Sequence, residues 1–185
     1  MNEISNTTDS HEITESQAQT LCKSCGLCCN GSLFIWTKLK SVELVSAQAL
    51  GLKVFGSEPS QRGFSQPCSL WDGQCTIYAS PNYPHACRTY KCKLLKEVID
   101  EITLLPDALT LVQQAKEMIT ELEVFLPNST NNNFRERLVA QIERLQESVQ
   151  QGESDPEFLR KADELLTHYE KHFGVKGLIE RRREA

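Results

Sequence analysis

Eight cysteines occupy one stretch of a 185-residue chain: Cys22, Cys25, Cys28, Cys29, Cys68, Cys75, Cys87 and Cys92. Four of them fall within LCKSCGLCCNG, spaced C-x-x-C-x-x-C-C. Thiolate sulfur is a nucleophile, a redox group and a soft ligand for zinc and iron. Each of those chemistries competes with simple burial of a small apolar side chain. Burial suits a lone cysteine and explains a run of four poorly. Disulfides are disfavoured because adjacent cysteines do not readily bond each other. The N-terminal text MNEISNTTDSHEITESQAQT also has no basic start, apolar stretch or cleavage pattern of a secretory signal. A reducing, cytoplasmic location is therefore expected. A redox dithiol at Cys25-Gly-Leu-Cys28 would call for a βαβ pattern, and none is visible. Metal binding accounts for number, spacing and compartment together.

Each two-residue spacer lets the chain curl around an ion or cluster with its amides towards sulfur, and Gly26 supplies the freedom such a turn needs. Neighbouring side chains diverge, so Cys28 and Cys29 are expected to serve different metals, or one metal and a packing role. Eight thiolates suffice for two four-cysteine zinc sites or two four-iron clusters. Cx2Cx2C with a distant cysteine is similar to ferredoxin ligation, without its closely spaced fourth cysteine and following proline. Ligand softness fits both metals, and the reading leans towards iron–sulfur.

Other chemistry-bearing residues carry less. His85 precedes Cys87 by two positions, but eight cysteines already fill the ligand need, leaving it an outer or surface role. Arg88 either donates hydrogen bonds to thiolate sulfur or forms an ordinary ion pair. His168 and His172 have i, i+4 spacing without the glutamate of H-E-x-x-H, and read as exposed residues near a helix end. No P-loop, GxGxxG or serine nucleophile elbow occurs, and no catalytic residue is assigned.

The elements that must position the cysteines give an α+β, mainly α, fold class. Residues 1–20 read as a disordered acidic tail. Residues 21–105 form a small irregular cysteine-rich module. There, FIWTKL is a candidate strand and SVELVSAQALG a helix with Val42, Val45 and Ala49 on one face. The segment from Lys53 to Gln66 reads as loop. In PCSLWDGQCTIY, Asp72-Gly73 signals a short β-hairpin. It would pair Trp71 with Gln74 and Leu70 with Cys75, setting Cys68 and Cys75 as diagonal neighbours roughly 7 Å apart. That separation is awkward for a disulfide and suits sulfurs converging on an inorganic centre. The prolines of PNYPHACRTYKC exclude regular structure until about Arg88, and KLLKEVIDEI resumes as helix.

Residues 106–185 contain no cysteine and predict a helical hairpin or small bundle. Apolar stripes run Ala108, Leu111, Val112, Ala115, Ile119, Leu122, Leu126, then Phe134, Leu138, Ile142, Leu145, Val149. A third stripe, Leu159, Ala162, Leu165, Leu166, Tyr169, Phe173, follows an Asp155-Pro156 cap. The net charge of −5 divides into −4 for residues 1–20, +3 for 21–105 and −4 for 106–185. A mildly basic setting favours a negatively charged thiolate–metal unit, yet it is too weak for a nucleic-acid footprint. Arg181, Arg182 and Arg183 read as a solvated helix end. No apolar run is long enough to span a membrane.

The blocks CKSCGLCC, CSLWDGQCTIY and PHACRTYKC, in that order, resemble the YkgJ-type cysteine-cluster family of zinc- or iron-chelating domains. The resemblance covers about residues 22–92 and implies that all eight cysteines are metal ligands. Tyr83-Pro84 stands where the family usually has Arg-Pro, and the stretch from Tyr78 to Cys87 is about two residues longer than the common form. Both departures affect the loop path and leave the cysteines in place.

The function that follows is a cytosolic metal-binding protein holding iron–sulfur or zinc centres, with the helical region available to a protein partner. Two alternatives stand beside it. The cysteine pattern also resembles part of the flagellin lysine-methylating proteins, which would imply an iron–sulfur-containing protein-lysine methyltransferase; no cofactor loop is visible. The other is metal storage or delivery.

Overall fold

The computed structural model describes residues 16–56, 58–129, 133–148 and 155–177. Most of the acidic tail and the three arginines near the C-terminus lie outside these. The first helix, α1 (Gln17–Cys25), begins within the residues expected to be tail. Its cause is a capping box: the Ser16 hydroxyl accepts the Gln19 N–H at 3.3 Å, and Gln19 Oε1 accepts the Ser16 N–H at 3.1 Å. Leu21 faces inward, and the helix stops at Gly26, which is left-handed at φ 75°.

A three-stranded antiparallel sheet follows, built from β1 (Trp36–Lys38), β2 (Val54–Phe55) and β3 (Gly63–Ser65), in the order β1-β3-β2. Both Thr37 and Val54 lie opposite Phe64. Phe64 is buried with Leu39, Ala47 and Leu52 in a small core of its own. The segment expected as loop thus holds two strands. Strands of two and three residues are too short to show alternation, and pairing to distant chain decides them. Between β1 and β2, a 3₁₀ turn (Ser41–Glu43) leads into α2 (Leu44–Ala49). Its predicted inner face is turned outward: Val42 is 84% and Val45 81% exposed, and Ala47 is the buried residue. The tighter 3₁₀ turn rotates the phase that a continuous α-helix would keep.

The Asp72-Gly73 turn differs by one residue from expectation. Trp71 bridges Cys75, the Thr76 N–H bonds the Leu70 carbonyl at 3.2 Å, and the Asp72 N–H bonds the Gln74 carbonyl at 3.1 Å. Three residues form the loop, with Gly73 left-handed at φ 67°. One helical turn, α3 (His85–Thr89), starts directly after Pro84, earlier than the prolines implied. Then α4 (Lys93–Ile99) begins at Cys92.

The C-terminal half is helical as expected: α5 (Leu105–Glu123), α6 (Phe134–Ser148) and α7 (Pro156–His168), extended by a π-helical turn (Tyr169–Phe173). Asp155 caps α7 by accepting the Phe158 N–H at 3.0 Å. Ala108, Val112, Ala115, Leu122, Phe134, Leu138, Ile142, Leu145, Ala162 and Leu165 of the predicted stripes are buried. They share one large core with Leu21, Leu27 and Leu33 of the cysteine segment and with Leu94, Leu95 and Val98 of α4. Polar ties cross the same boundary. Lys116 Nζ donates to the Ser24 carbonyl at 3.1 Å, and Arg135 Nη1 to the Leu33 carbonyl at 2.6 Å. His168 is buried rather than exposed, its Nε2 2.9 Å from the Leu111 carbonyl oxygen, with its ring 4.7 Å from that of His172. Among the described residues no helix is long and apolar enough to cross a membrane.

Gly26 closes α1 where the indole of Trp71 occupies the place of a β-carbon. Gly26→Ala combines a left-handed backbone penalty with overpacking, so a loss of roughly 2–4 kcal/mol is expected in denaturant titration. An unchanged midpoint would mean that the indole gives way.

Candidate metal centre

Helix α1 sets Cys22 and Cys25 on one face, three residues apart. The left-handed Gly26 turns the chain so that Cys28 and Cys29 follow at once. Two backbone links and one helix contact bring distant cysteines to them. The Cys68 N–H bonds the Cys29 carbonyl at 2.7 Å, and the Cys75 N–H bonds the Lys23 carbonyl at 3.2 Å. Cys92 caps α4, which packs on α1. Cys87 is carried by α3. All eight are free thiols, neither fully buried nor fully exposed.

Packing separates them into two neighbourhoods. Cys22, Cys25, Cys28 and Cys92 lie against the large core, whereas Cys68 and Cys87 lie against the small core around Phe64. Electrostatics divides them in the same way. Cys25 is influenced by Cys92 and Cys22, while Cys29 is influenced by Cys68, Cys75 and Cys87 ahead of Cys22. Cys87 in turn is influenced by Cys68 and Cys75. Adjacent Cys28 and Cys29 therefore have different nearest sulfurs, although Cys29 follows Cys25 among the charges that raise Cys28, and Cys22 interacts with Cys75 and Cys29 across the divide.

Burial is the main cause that keeps the thiols of Cys22, Cys25, Cys28, Cys29, Cys68, Cys87 and Cys92 neutral. It pushes Cys22 up to about 11, Cys25 to about 12 and Cys87 to about 12, from an ordinary 9.0, with neighbouring thiolates adding to the rise. Cys28 and Cys29 are raised further by the same causes. Backbone amides oppose this at three places. The Leu27 N–H serves Cys25, the Leu70 N–H serves Cys68, and the Leu95 N–H reaches Cys92 Sγ at 3.4 Å with Leu94 assisting. Each of these cysteines begins a Cys-x-Leu unit, in CGL, CSL and CKL. At Cys25 and Cys68 the leucine of the unit supplies the amide that faces sulfur, at Cys92 the nearer amide is that of Leu95 one residue further on, and Leu27, Leu94 and Leu95 are all buried in the core. This repeated tripeptide was present in the sequence and is the signal that spacing of cysteines alone passes over. Lys116 lowers Cys25 and Lys96 lowers Cys92 by their charge.

As they stand, no three cysteine, histidine or carboxylate side chains among the described residues are set at ion-holding distances. The donor set nevertheless fits zinc or iron in kind. It consists of soft sulfur with amide donors, in surroundings where an unaccompanied thiolate is costly and a divalent cation would offset that cost. The backbone N–H of His85 donates to Glu43 Oε1 at 2.6 Å at the start of α3. Arg88 donates to the Ser80 carbonyl at 3.4 Å and lies over Tyr83, 5.5 Å from the ring centroid. With Lys23, Gln74, Cys75, Tyr78 and Tyr83 it lines an open cleft of about 620 Å³. Cys75 of the second group thus meets solvent beside two cations.

A family model described as "Putative zinc- or iron-chelating domain", CxxCxxCC, matches residues 21–116. The chain belongs to this family. The match runs beyond the last cysteine of the CxxCxxCC domain into α5 and takes in Lys116. No curated protein and no solved structure matches the chain. Zinc or iron is accordingly the metal class of this domain.

Two outcomes follow for the metal-free CxxCxxCC protein. The raised thiols make the folded state bind more protons than the unfolded chain above pH 9, so stability is full below that pH. It falls as pH rises from about 9 towards 12. Thermal melts across that interval should show the decline, and a flat profile would contradict the burial described. Brief alkylation at neutral pH should label Cys75, on the cleft, ahead of Cys25 and Cys28, as read by peptide mass spectrometry.

Proposed function

We propose that this CxxCxxCC protein is a cytoplasmic metal-chelating protein holding two four-thiolate centres, each zinc or iron–sulfur. Cys22, Cys25, Cys28 and Cys92 would bind one, and Cys29, Cys68, Cys75 and Cys87 the other. The observation that carries this reading is the different company of Cys28 and Cys29: Cys28 packs on the large core and is influenced by Cys25, Cys92 and Cys22 besides its neighbour Cys29, whereas Cys29 is influenced by Cys68, Cys75 and Cys87 ahead of Cys22. A single ion has no use for two adjacent side chains that diverge; two centres use both. Four thiolates on a divalent ion leave a unit of negative charge, which Lys116 and Lys96 offset at the first group. Eight reduced thiols also suit a reducing compartment.

The two groups serve different ends. The first, on the large core, joins α1 to α4 and would lock the module to the helices. The second, beside the basic cleft, is open to a partner that passes electrons or exchanges metal. An accessory role towards another protein is the function this asymmetry supports best.

The test is anaerobic purification followed by zinc, iron and sulfide analysis. About two zinc per chain, or about eight iron with eight sulfide, is expected. Cys92→Ser and Cys68→Ser should each halve the content, leaving the other centre loaded. A folded wild-type protein empty of both metals, with eight titratable thiols, would overturn the reading.

A further inference from the structure

The Tyr169 hydroxyl, in the helical half, is buried with no hydrogen-bond partner among the described residues. Tyr169 is 0% exposed, and its hydroxyl makes no hydrogen bond of acceptable geometry. The Ser32 hydroxyl interacts with it and counters part of the effect of burial, yet leaves the phenolic proton unplaced. A buried donor left unsatisfied costs about 1–3 kcal/mol, so its retention calls for an acceptor. The titratable groups that act on Tyr169 are the Cys25 and Cys28 thiols, which pack against the same core, and the Arg135 guanidinium. Arg135 only donates, and its Nη1 already serves the Leu33 carbonyl. Sulfur is the acceptor at hand. A neutral thiol accepts weakly, whereas a thiolate held by a metal accepts well.

The backbone fixes the phenol at this place. Tyr169 opens the π-helical turn, a local widening frequent at functional sites. Its ring meets Phe173 edge-on, with centroids 6.1 Å apart. The turn ends at left-handed Gly174, against Lys93, and Lys93 Nζ donates to the Lys171 carbonyl at 2.7 Å. Lys93 is the residue after Cys92. The π turn is thereby fastened to the helix that carries one cysteine of the first group, and it packs on the same core as the other three.

We propose that the Tyr169 hydroxyl donates a hydrogen bond to a metal-bound sulfur of Cys25 or Cys28, so that the C-terminal helix completes the first centre. Tyr169 is then a positioning residue that lies outside the span matched by the family. It stabilises thiolate charge in a dry site and resists loss of the metal. The inference rests on the reading that the first group of cysteines holds a metal.

The test compares wild-type full-length protein, purified without oxygen, with Tyr169→Phe, which keeps the ring and deletes the hydroxyl. Metal content is measured first, then the rate of metal release to excess chelator, then the melting temperature of the metal-free proteins. Both should load equally. Tyr169→Phe should release one of its two centres about tenfold faster, with a metal-free melting temperature equal to or above wild type. Equal release from two loaded proteins overturns the role of Tyr169 and leaves the two-centre reading intact. A lowered metal-free melting temperature with unchanged release shows a packing role only, and also overturns it. An empty wild-type protein overturns the two-centre reading itself. Ser32→Ala, which should release the same centre no slower than wild type, serves if the tyrosine variant fails to fold.

Discussion

Eight reduced thiols are crowded where apolar core meets irregular backbone, and that crowding sets the terms for the rest of the molecule. Cys22, Cys28, Cys29 and Cys87 are kept neutral chiefly by burial and secondarily by their neighbours. Left alone, such a group gains nothing from being drawn together; the chain must hold it together by other means. The means are visible in the capped start of α1, the left-handed Gly26, the α4 cap at Cys92 and the amide links from Cys68 and Cys75. Apart from the α4 cap, where the Cys92 sulfur itself accepts the Leu95 N–H, they act on backbone rather than on sulfur. The segments that carry the thiols are gathered by structure that does not depend on their ionisation, and a cation would then draw together side chains already brought into one region.

The two groups of cysteines differ in how much that structure supplies. The first rests on a core of twenty buried residues running through α1, α4, α5, α6 and α7. The second rests on four: Leu39, Ala47, Leu52 and Phe64. A cluster of that size buries too little apolar surface to fix a three-stranded sheet with strands of two or three residues. The second group lies where inorganic cross-linking would add most to stability, and also where the cleft leaves it accessible. Stability and exposure therefore pull against each other at one site and agree at the other.

Much of this was legible in the residue order, and the reasons for the rest are physical. The helical stripes of the C-terminal half appear where their 3.6-residue period put them, because long amphipathic helices declare their inner face. The divergence of Cys28 and Cys29 follows from chain geometry alone. What escaped reading was short-range in sequence and decided at long range. Strands β2 and β3 exist through pairing, the face of α2 was rotated by a 3₁₀ turn, and the hairpin gained one residue through Gly73. His168 illustrates another limit. Helix spacing paired it with His172 but could not show that the Leu111 carbonyl waits inside. The Ser16–Gln19 capping box and the three Cys-x-Leu units were written plainly and required only that the residues beside the cysteines be weighed with them.

The division between a module with chemistry and a half without it also dissolves in the packing. The span shared with the family reaches residue 116, well past Cys92, and the reason lies in α5. Ala108, Val112 and Ala115 form part of the buried floor on which Leu21 and Leu27 sit. Lys116 bonds the Ser24 carbonyl and lowers the Cys25 thiol by its charge. Small residues there let α1 approach closely, and the lysine one position on reaches its last turn. Remove that helix and the first group of sulfurs loses both its apolar floor and one of its cations. The helices are the medium in which the sulfur chemistry takes place: they set how dry it is, which charges it feels and how firmly α1 is held against α4.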